Sequence, residues 1–355
     1  MVNGYSFVDA VAASILKAPI LYTRSDRMSA PVTGVLNNFS DYRVIGGTTV
    51  ITSELQGRIH QAIFEELREE PLIEMEGIAL GDSESRVISR LGEPVRKDAS
   101  RYGFYWYIYN QDYGNYLQVG ILEGKVVGLY TSSGNWTTKE GLTKDMSVNE
   151  LKALYPGAQE SAGRSLSYVE GNTRMDIMYD TLKGTGSVLG GVQVLDDQVY
   201  QEHNVNKQSY RWDNVSFSKD EVRIADQRQI FDLVNVSRVE YGLTPFQPCT
   251  KATEAAKLHS EDMRDRSFFS HTNPDGKLPW DRLEDQGIRY SSAGENIAAN
   301  QQSPVHVHWG WMNSEGHRSG ILSNNERLGV GVAFRVDGIS SPYGSYFTQN
   351  FYTPR

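Results

Sequence analysis

The chain has 355 residues, 39% hydrophobic and 22% charged, a balance that supports packed cores and excludes a disordered or fibrous chain. Its net charge of −9, with no basic run longer than two residues, excludes general nucleic-acid binding, which needs clustered Lys and Arg against phosphate. The single cysteine, Cys249, excludes an internal disulfide and a cysteine zinc cluster, and no apolar run reaches the ~18–20 residues of a membrane span.

In chain order, Phe7, Val11, Ala12 and Ile15 stand near helical spacing, and the apolar stretches "APILY" and "YRVIGGTTV" follow as strands. Together they predict a small partial α/β unit over residues 1–57. Asp9 and Lys17 interrupt this region and it lacks a basic lead, so it reads as folded structure, and an export signal is expected upstream of it. Residues 58–74, Glu-rich and closed by Pro71, predict a connecting helix.

From 75 to 220 the composition turns to Gly, Tyr and Val, and the stretch repeats itself. "GIALGDSESRVISRLGEP" (77–94) aligns with "GLTKDMSVNELKALYPGA" (141–158) at an offset of 64, which puts Val87 over Leu151 and Leu91 over Tyr155. Strand-like stretches follow each predicted helix, so the region reads as a duplicated α+β module. Its tyrosines (Tyr102, Tyr105, Tyr107, Tyr109, Tyr113 and Tyr116) admit a glycan-binding face, but aromatics alternating along a strand are first of all packing.

Residues 225–355 form a further predicted domain. "IFDLVNVSRVEYGLTPF" reads as a helix ended by Gly242 and Pro245, and Ala252, Ala255, Ala256, His259 and Met263 line one face of the next. A third helix carries His308, Trp311, Met312 and Glu315 on one face, and "LGVGVAFRV" and "YGSYFTQNFY" read as strands. Helices on both sides of a short sheet predict an α-β-α sandwich within an α+β multidomain chain.

The chemistry concentrates in this last domain, where His271, Glu295, Glu315 and His317 sit among small, turn-forming residues. A solvated glutamate usually keeps charged neighbours, whereas Glu295 lies between Gly294 and Asn296. Imidazole and carboxylate on turns that let backbone approach closely are what a cation site needs. Separations of 24 residues from His271 to Glu295 and 22 more to His317 leave any grouping to the fold. His259, on the apolar helix face, reads as a core histidine, and Cys249 as a residue at a helix start.

Taken in order, "AAKLHSEDM", "FFSHTNPDG", "AGENIA", "WMNSEGHRSGIL" and "YFTQNF" resemble the bacterial branch of the CAP superfamily of cysteine-rich secretory, antigen 5 and pathogenesis-related 1 proteins. The region before them resembles the CAP-associated N-terminal module, and "SFVDAVAASILKAPILYT" with "VIGGTTVITSELQ" resembles the latter half of a type 2 cell-wall-binding repeat. These resemblances imply a cavity lined by two His and two acids that takes zinc or another divalent cation. They also imply an extracellular or cell-wall location, with wall polymer, peptidoglycan or a small ligand as partner.

His271 matches the family's first His and Glu295 the acid of its GEN motif. Where the second His of many relatives stands, this chain has Ser345 or Tyr346, which leaves His317 as the second His and metal ligand. Glu315 is the remaining acid, at a place where many bacterial relatives carry proline. The expected function is ligand or metal binding at the cell surface, without nucleic acid and without a membrane span. The alternatives are a metal-assisted hydrolase with Glu295 as general base, and a lipid carrier.

Overall fold

The computed structural model describes residues 71–355 apart from 162–163, 185 and 204–214, together with residues 2–3 and 22–23. Residues 1–71 and 72–355 are two compact units. In the first, β1 (Val2–Asn3) pairs in parallel with β2 (Tyr22–Thr23). The remainder of the α/β unit expected over 1–57, and the helix expected over 58–70, lie outside the described residues. The end of that expected helix differs: Ile73–Met75 is a strand, β3, because its backbone pairs with β8 (Trp136–Thr138).

Two similar segments then follow. The first runs through α1 (Glu84–Leu91), β4 (Arg96–Ala99), β5 (Tyr105–Tyr109), β6 (Leu117–Leu122) and β7 (Lys125–Thr131). After β8, the second runs through α2 (Val148–Leu154), β9 (Gln159–Ser161), β10 (Ser165–Glu170), β11 (Thr173–Asp180) and β12 (Val188–Asp196). Ser83 caps α1 and Ser147, 64 residues later, caps α2, each through a hydroxyl that accepts a backbone N–H left free at the helix start. Val87 and Leu151, also 64 apart, are the wholly buried residues of the two helices.

The two segments close into one eight-stranded sheet, ordered β4-β5-β6-β7-β12-β11-β10-β9, whose centre is the antiparallel pairing of β7 with β12. The order reads the same way outward from that seam. One face, with Tyr107, Tyr109, Val119, Leu129, Ile177 and Val192, packs under α1, α2, β3 and β8. The tyrosine row is therefore mostly core: Tyr102, Tyr107, Tyr109 and Tyr116 are buried.

The C-terminal part follows α3 (Asp197–His203) and comprises α4 (Lys219–Glu240), β13 (Gln247–Pro248), α5 (Thr250–Asp265), α6 (Pro279–Asp285), β14 (Tyr290–Ala299), α7 (Pro304–Met312), α8 (Glu315–Ile321), β15 (Arg327–Phe334) and β16 (Ser345–Pro354). Its sheet has the order β13-β15-β16-β14. Strand alternation splits β15 between two neighbours. Leu328, Val330 and Val332 face α4, whereas Gly329 and Gly331 face α5 so closely that a Cβ at either would stand 2.1 Å from the backbone of Ala252 or Ala256. The small-residue face of α5 is thus the partner of the two glycines, and the result is an α-β-α sandwich.

The sandwich and the module are not separate bodies within the second unit. Phe104, Trp106, Ile108 and Tyr130 from the other face of the eight-stranded sheet share one core with Ile230 and Leu233 of α4 and Trp309 and Trp311 of α7. Trp309 lies over Gly190 of β12, where a Cβ would come within 2.4 Å of its ring, and its indole N–H donates to Tyr130 Oη at 3.1 Å. The helix expected to carry His308 through Glu315 is broken. It stops at Met312 because Asn313 spends its side chain on β11 and the turn after it, and a new helix begins at Glu315.

Candidate functional site

His271 sits in the loop between α5 and α6, and that loop is shaped by its own side chains. Asn273 Oδ1 accepts the N–H groups of Asp275 and Lys277 at 3.1 and 2.9 Å, while its Nδ2 donates to Asp262 Oδ2 of α5 at 3.1 Å. Gly276 takes the turn at φ 84°, a conformation that favours glycine. Pro279 starts α6, fixing the helix that carries Arg282. On the sheet, Glu295 of β14 stands opposite Asn350 of β16.

These elements converge on the Glu295 carboxylate, whose side chain is only 1% exposed. Its Oε1 lies 2.9 Å from His271 Nδ1, and its Oε2 accepts from Arg282 Nη2 at 2.7 Å. With its nitrogen turned inward, the Asn350 amide also donates to Oε2, at 3.1 Å. Arg282 is itself buried and uses Nη1 to donate to the carbonyls of His271 and Lys277 at 2.9 and 3.0 Å. One guanidinium therefore neutralises the buried acid and ties down the loop that bears His271. Arg282 meets the buried charge and the two carbonyls through its terminal nitrogens, while its Nε is buried without a hydrogen-bond partner.

His259 of α5 completes the floor. Its Nε2 is 3.0 Å from the Ser270 carbonyl and 3.8 Å from Glu295 Oε1, and its Nδ1 is buried with no hydrogen-bond partner. Burial pushes this imidazole down to about 4, the Arg282 charge pushes the same way, and Glu295 pulls against both. It is neutral at physiological pH, and the contact with the Ser270 carbonyl assigns the proton to Nε2.

The second group stands on α8. His317 Nδ1 is 2.8 Å from Ser314 Oγ, and the His317 carbonyl accepts from Asn296 Nδ2 of β14 at 2.9 Å. Strand alternation explains the division of labour: Glu295 turns toward Arg282 and His271, and its neighbour Asn296 turns toward α8. Partial burial lowers the His317 pKa, and the charge of His271 lowers it further.

The structure thus joins His271 to Glu295, sets His317 within electrostatic reach of His271, and leaves Glu315 exposed in the first turn of α8. Glu295 has both oxygens engaged and no surface to offer. The group presented to solvent is His271, 49% exposed, whose ring is oriented by Glu295 through Nδ1.

Among the described residues no group of three or more His, Cys, Asp or Glu side chains is placed to hold a metal ion. His271 and His317 are each tied at Nδ1 to an oxygen, that of Glu295 and that of Ser314, and Glu295 orients its histidine from behind. Sequence reasoning missed Arg282, Asn350 and the closeness of His259. Arg282 in "PWDRLED" carries no pairing signal, since its partner lies 13 residues on in another element.

Comparison with known proteins agrees with this architecture. The CAP-associated N-terminal family matches residues 80–185, and the cysteine-rich secretory protein family, CAP, matches residues 231–351. An uncharacterized membrane protein of Bacillus subtilis, YlbC, is 30% identical over 295 residues, covering 77% of this chain and 82% of its own. A second B. subtilis protein, YkwD, is 38% identical over 128 residues, 36% of this chain and 47% of its own. An extracellular SCP-domain protein of Bacillus anthracis superposes with a TM-score of 0.66 at 27% identity, over 77% of this chain and 93% of that one. A cysteine-rich secretory protein of Staphylococcus aureus superposes at 0.56 with 16% identity, over 80% and 95%, a likeness of fold.

Proposed function

Because the chain belongs to the CAP family, with its CAP domain set behind a CAP-associated module, we propose that it is an extracellular binding protein whose ligand meets His271 and His317. The observation that carries this reading is the locked state of Glu295, shared between Arg282, Asn350 and His271 while His271 stands half out in solvent. Such a carboxylate orients an imidazole. It has no free face from which to deprotonate a water, which favours binding over hydrolysis by a Glu295 base.

Where the ligand is a divalent cation, His271 and His317 would hold it through Nε2, and the ion would supply Lewis acidity toward a second ligand. Neutral imidazole is the ligand form, so affinity for zinc falls as pH drops below the imidazole range. Calorimetry at neutral and acidic pH tests this. A His271→Ala, His317→Ala double substitution should lose zinc binding at least tenfold, and Glu315→Gln should leave it unchanged. Equal affinity in the wild type and the double variant would sink the reading.

An extracellular setting is supported by the likeness to the B. anthracis protein, and among the described residues no helix is long and apolar enough to cross a membrane. The resemblance of residues 1–57 to part of a cell-wall-binding repeat supports attachment to wall polymer. Because only part of one repeat is present, similar retention on purified cell wall by the full chain and by a chain starting at residue 72 is the expected result, and strong retention of the full chain alone would make residues 1–57 a competent anchor.

A further inference from the structure

We infer that the CAP-associated module is a working part of the ligand site: Asp180 and Thr181, at the end of β11 and in the turn beyond it, position His317. The inference rests on the reading of His317 as a ligand-facing group. Its substance is how the short segment from Asn313 to Arg318 is held.

Both ends of that segment are fastened to the module. At the first end, Asn313 Oδ1 accepts from the Thr181 backbone N–H at 2.7 Å and from Thr181 Oγ1 at 2.9 Å, and Asn313 Nδ2 donates to the Tyr179 carbonyl at 2.8 Å. At the other end, Arg318 pairs with Asp180 in a two-pronged contact, Nη1 to Oδ1 at 2.8 Å and Nη2 to Oδ2 at 3.1 Å. This fork geometry fixes direction as well as distance. Arg318 Nη1 also donates to the Met312 carbonyl at 2.9 Å, which closes the segment on itself. Between the two fastenings stand Ser314 and His317, bonded to each other.

The anchor is itself firmly placed. Asp180 is buried and accepts further from Tyr241 Oη, at the C-terminal end of α4, at 3.0 Å and from the Leu182 N–H at 3.1 Å. Just before the segment, Trp309 is seated on Gly190 and bonded to Tyr130, so α7 cannot shift without leaving the module. The sandwich's own polar holds on the segment are the bond from Asn296 to the His317 carbonyl and the bond from Arg318 Nη2 to Tyr241 Oη, itself tied to Asp180. Asn296 is the neighbour of Glu295, which orients His271, so β14 links the two histidines and the module sets where the second one stands.

Cementing two domains together is a different role, and this molecule contains a ready control for it. Asp226 of α4 pairs with Arg101 of the module at 3.3 Å, also buried, and neither touches residues 313–318. Asp226→Asn therefore weakens the same junction without loosening the segment.

The test uses the full chain with labelled histidines and compares the ring resonances of His317 and His271 at pH 8, together with zinc affinity. Asp180→Asn should move the His317 resonances and weaken zinc about tenfold while leaving those of His271 in place. Thr181→Val removes one donor to Asn313 and should do the same to a smaller degree, so it carries the test if Asp180→Asn does not fold. Asp226→Asn should move neither histidine. Movement of His317 with unchanged zinc affinity supports the positioning role and refutes the ligand reading. His317 resonances identical to wild type in both module variants, or displaced equally by Asp226→Asn, would overturn the inference.

Discussion

His271 is held from within the sandwich, by Glu295 of β14, with Arg282 of α6 and Asn350 of β16 behind it, whereas His317 depends on a segment fastened at both ends to the module. The first arrangement centres on a buried carboxylate with its own internal counter-ion. The second is built from hydrogen bonds and an ion pair that cross between two parts of the chain. The contrast teaches that a site can be assembled from one self-sufficient half and one borrowed half. Each half should then fail in its own way when its supports are removed.

The largest expected effect lies in the self-sufficient half. Arg282→Met leaves the Glu295 carboxylate buried without its cation and frees the carbonyls of His271 and Lys277. Breaking a buried pair from one side costs about 3–5 kcal/mol. Urea unfolding of the full chain should show a loss of that order, with the His271 resonances displaced and those of His317 retained. A loss below about 1 kcal/mol, or equal displacement of both histidines, would mean that the two halves are not independent.

Much of the sandwich was legible because its signals are local. The small face of α5 is written in the spacing of Ala252, Ala255 and Ala256, and β15 in its alternation of glycine with larger residues. Glu295 announced itself by the small residues around it. What could not be read was tertiary: His308, Trp311, Met312 and Glu315 keep helical spacing, yet the helix breaks at Asn313 because Thr181, 132 residues earlier in the chain, offers it two donors. Periodicity reports which faces are apolar, and it is silent on a hydrogen bond across the fold. Arg282 was overlooked for the same reason, and so were the contacts of Thr181 with Asn313 and of Asp180 with Arg318, which join residues 132 and 138 positions apart.

Acid sharpens the comparison further, because a buried, neutral histidine stands beside the first half and another just before the segment that carries the second. In the sandwich, His259 is pushed down to about 4 by burial. In α7, His308 is pushed down to about 3 by burial and bonds through Nε2 to Ser237 Oγ at 2.9 Å. Both folded-state values lie below the ordinary imidazole value of 6.5. Above pH 6.5 neither folded nor unfolded chain is protonated there, and stability is complete. As pH falls below 6.5 the unfolded chain takes up a proton at each site that the folded chain refuses, so each histidine withdraws stability down to its folded value. Asp98, Asp176, Asp226 and Asp232 act in the opposite sense, since burial raises them and acid relieves the cost of their charge. The decisive quantity is therefore a difference of slopes against wild type. His259→Gln and His308→Gln should each flatten the fall of stability with acid by up to about 1.4 kcal/mol per pH unit between pH 6 and 4, the value of one proton. Unfolding free energies measured from pH 7 to 3.5 check this, and wild-type slopes in both variants would show that the two rings are protonated in the folded chain.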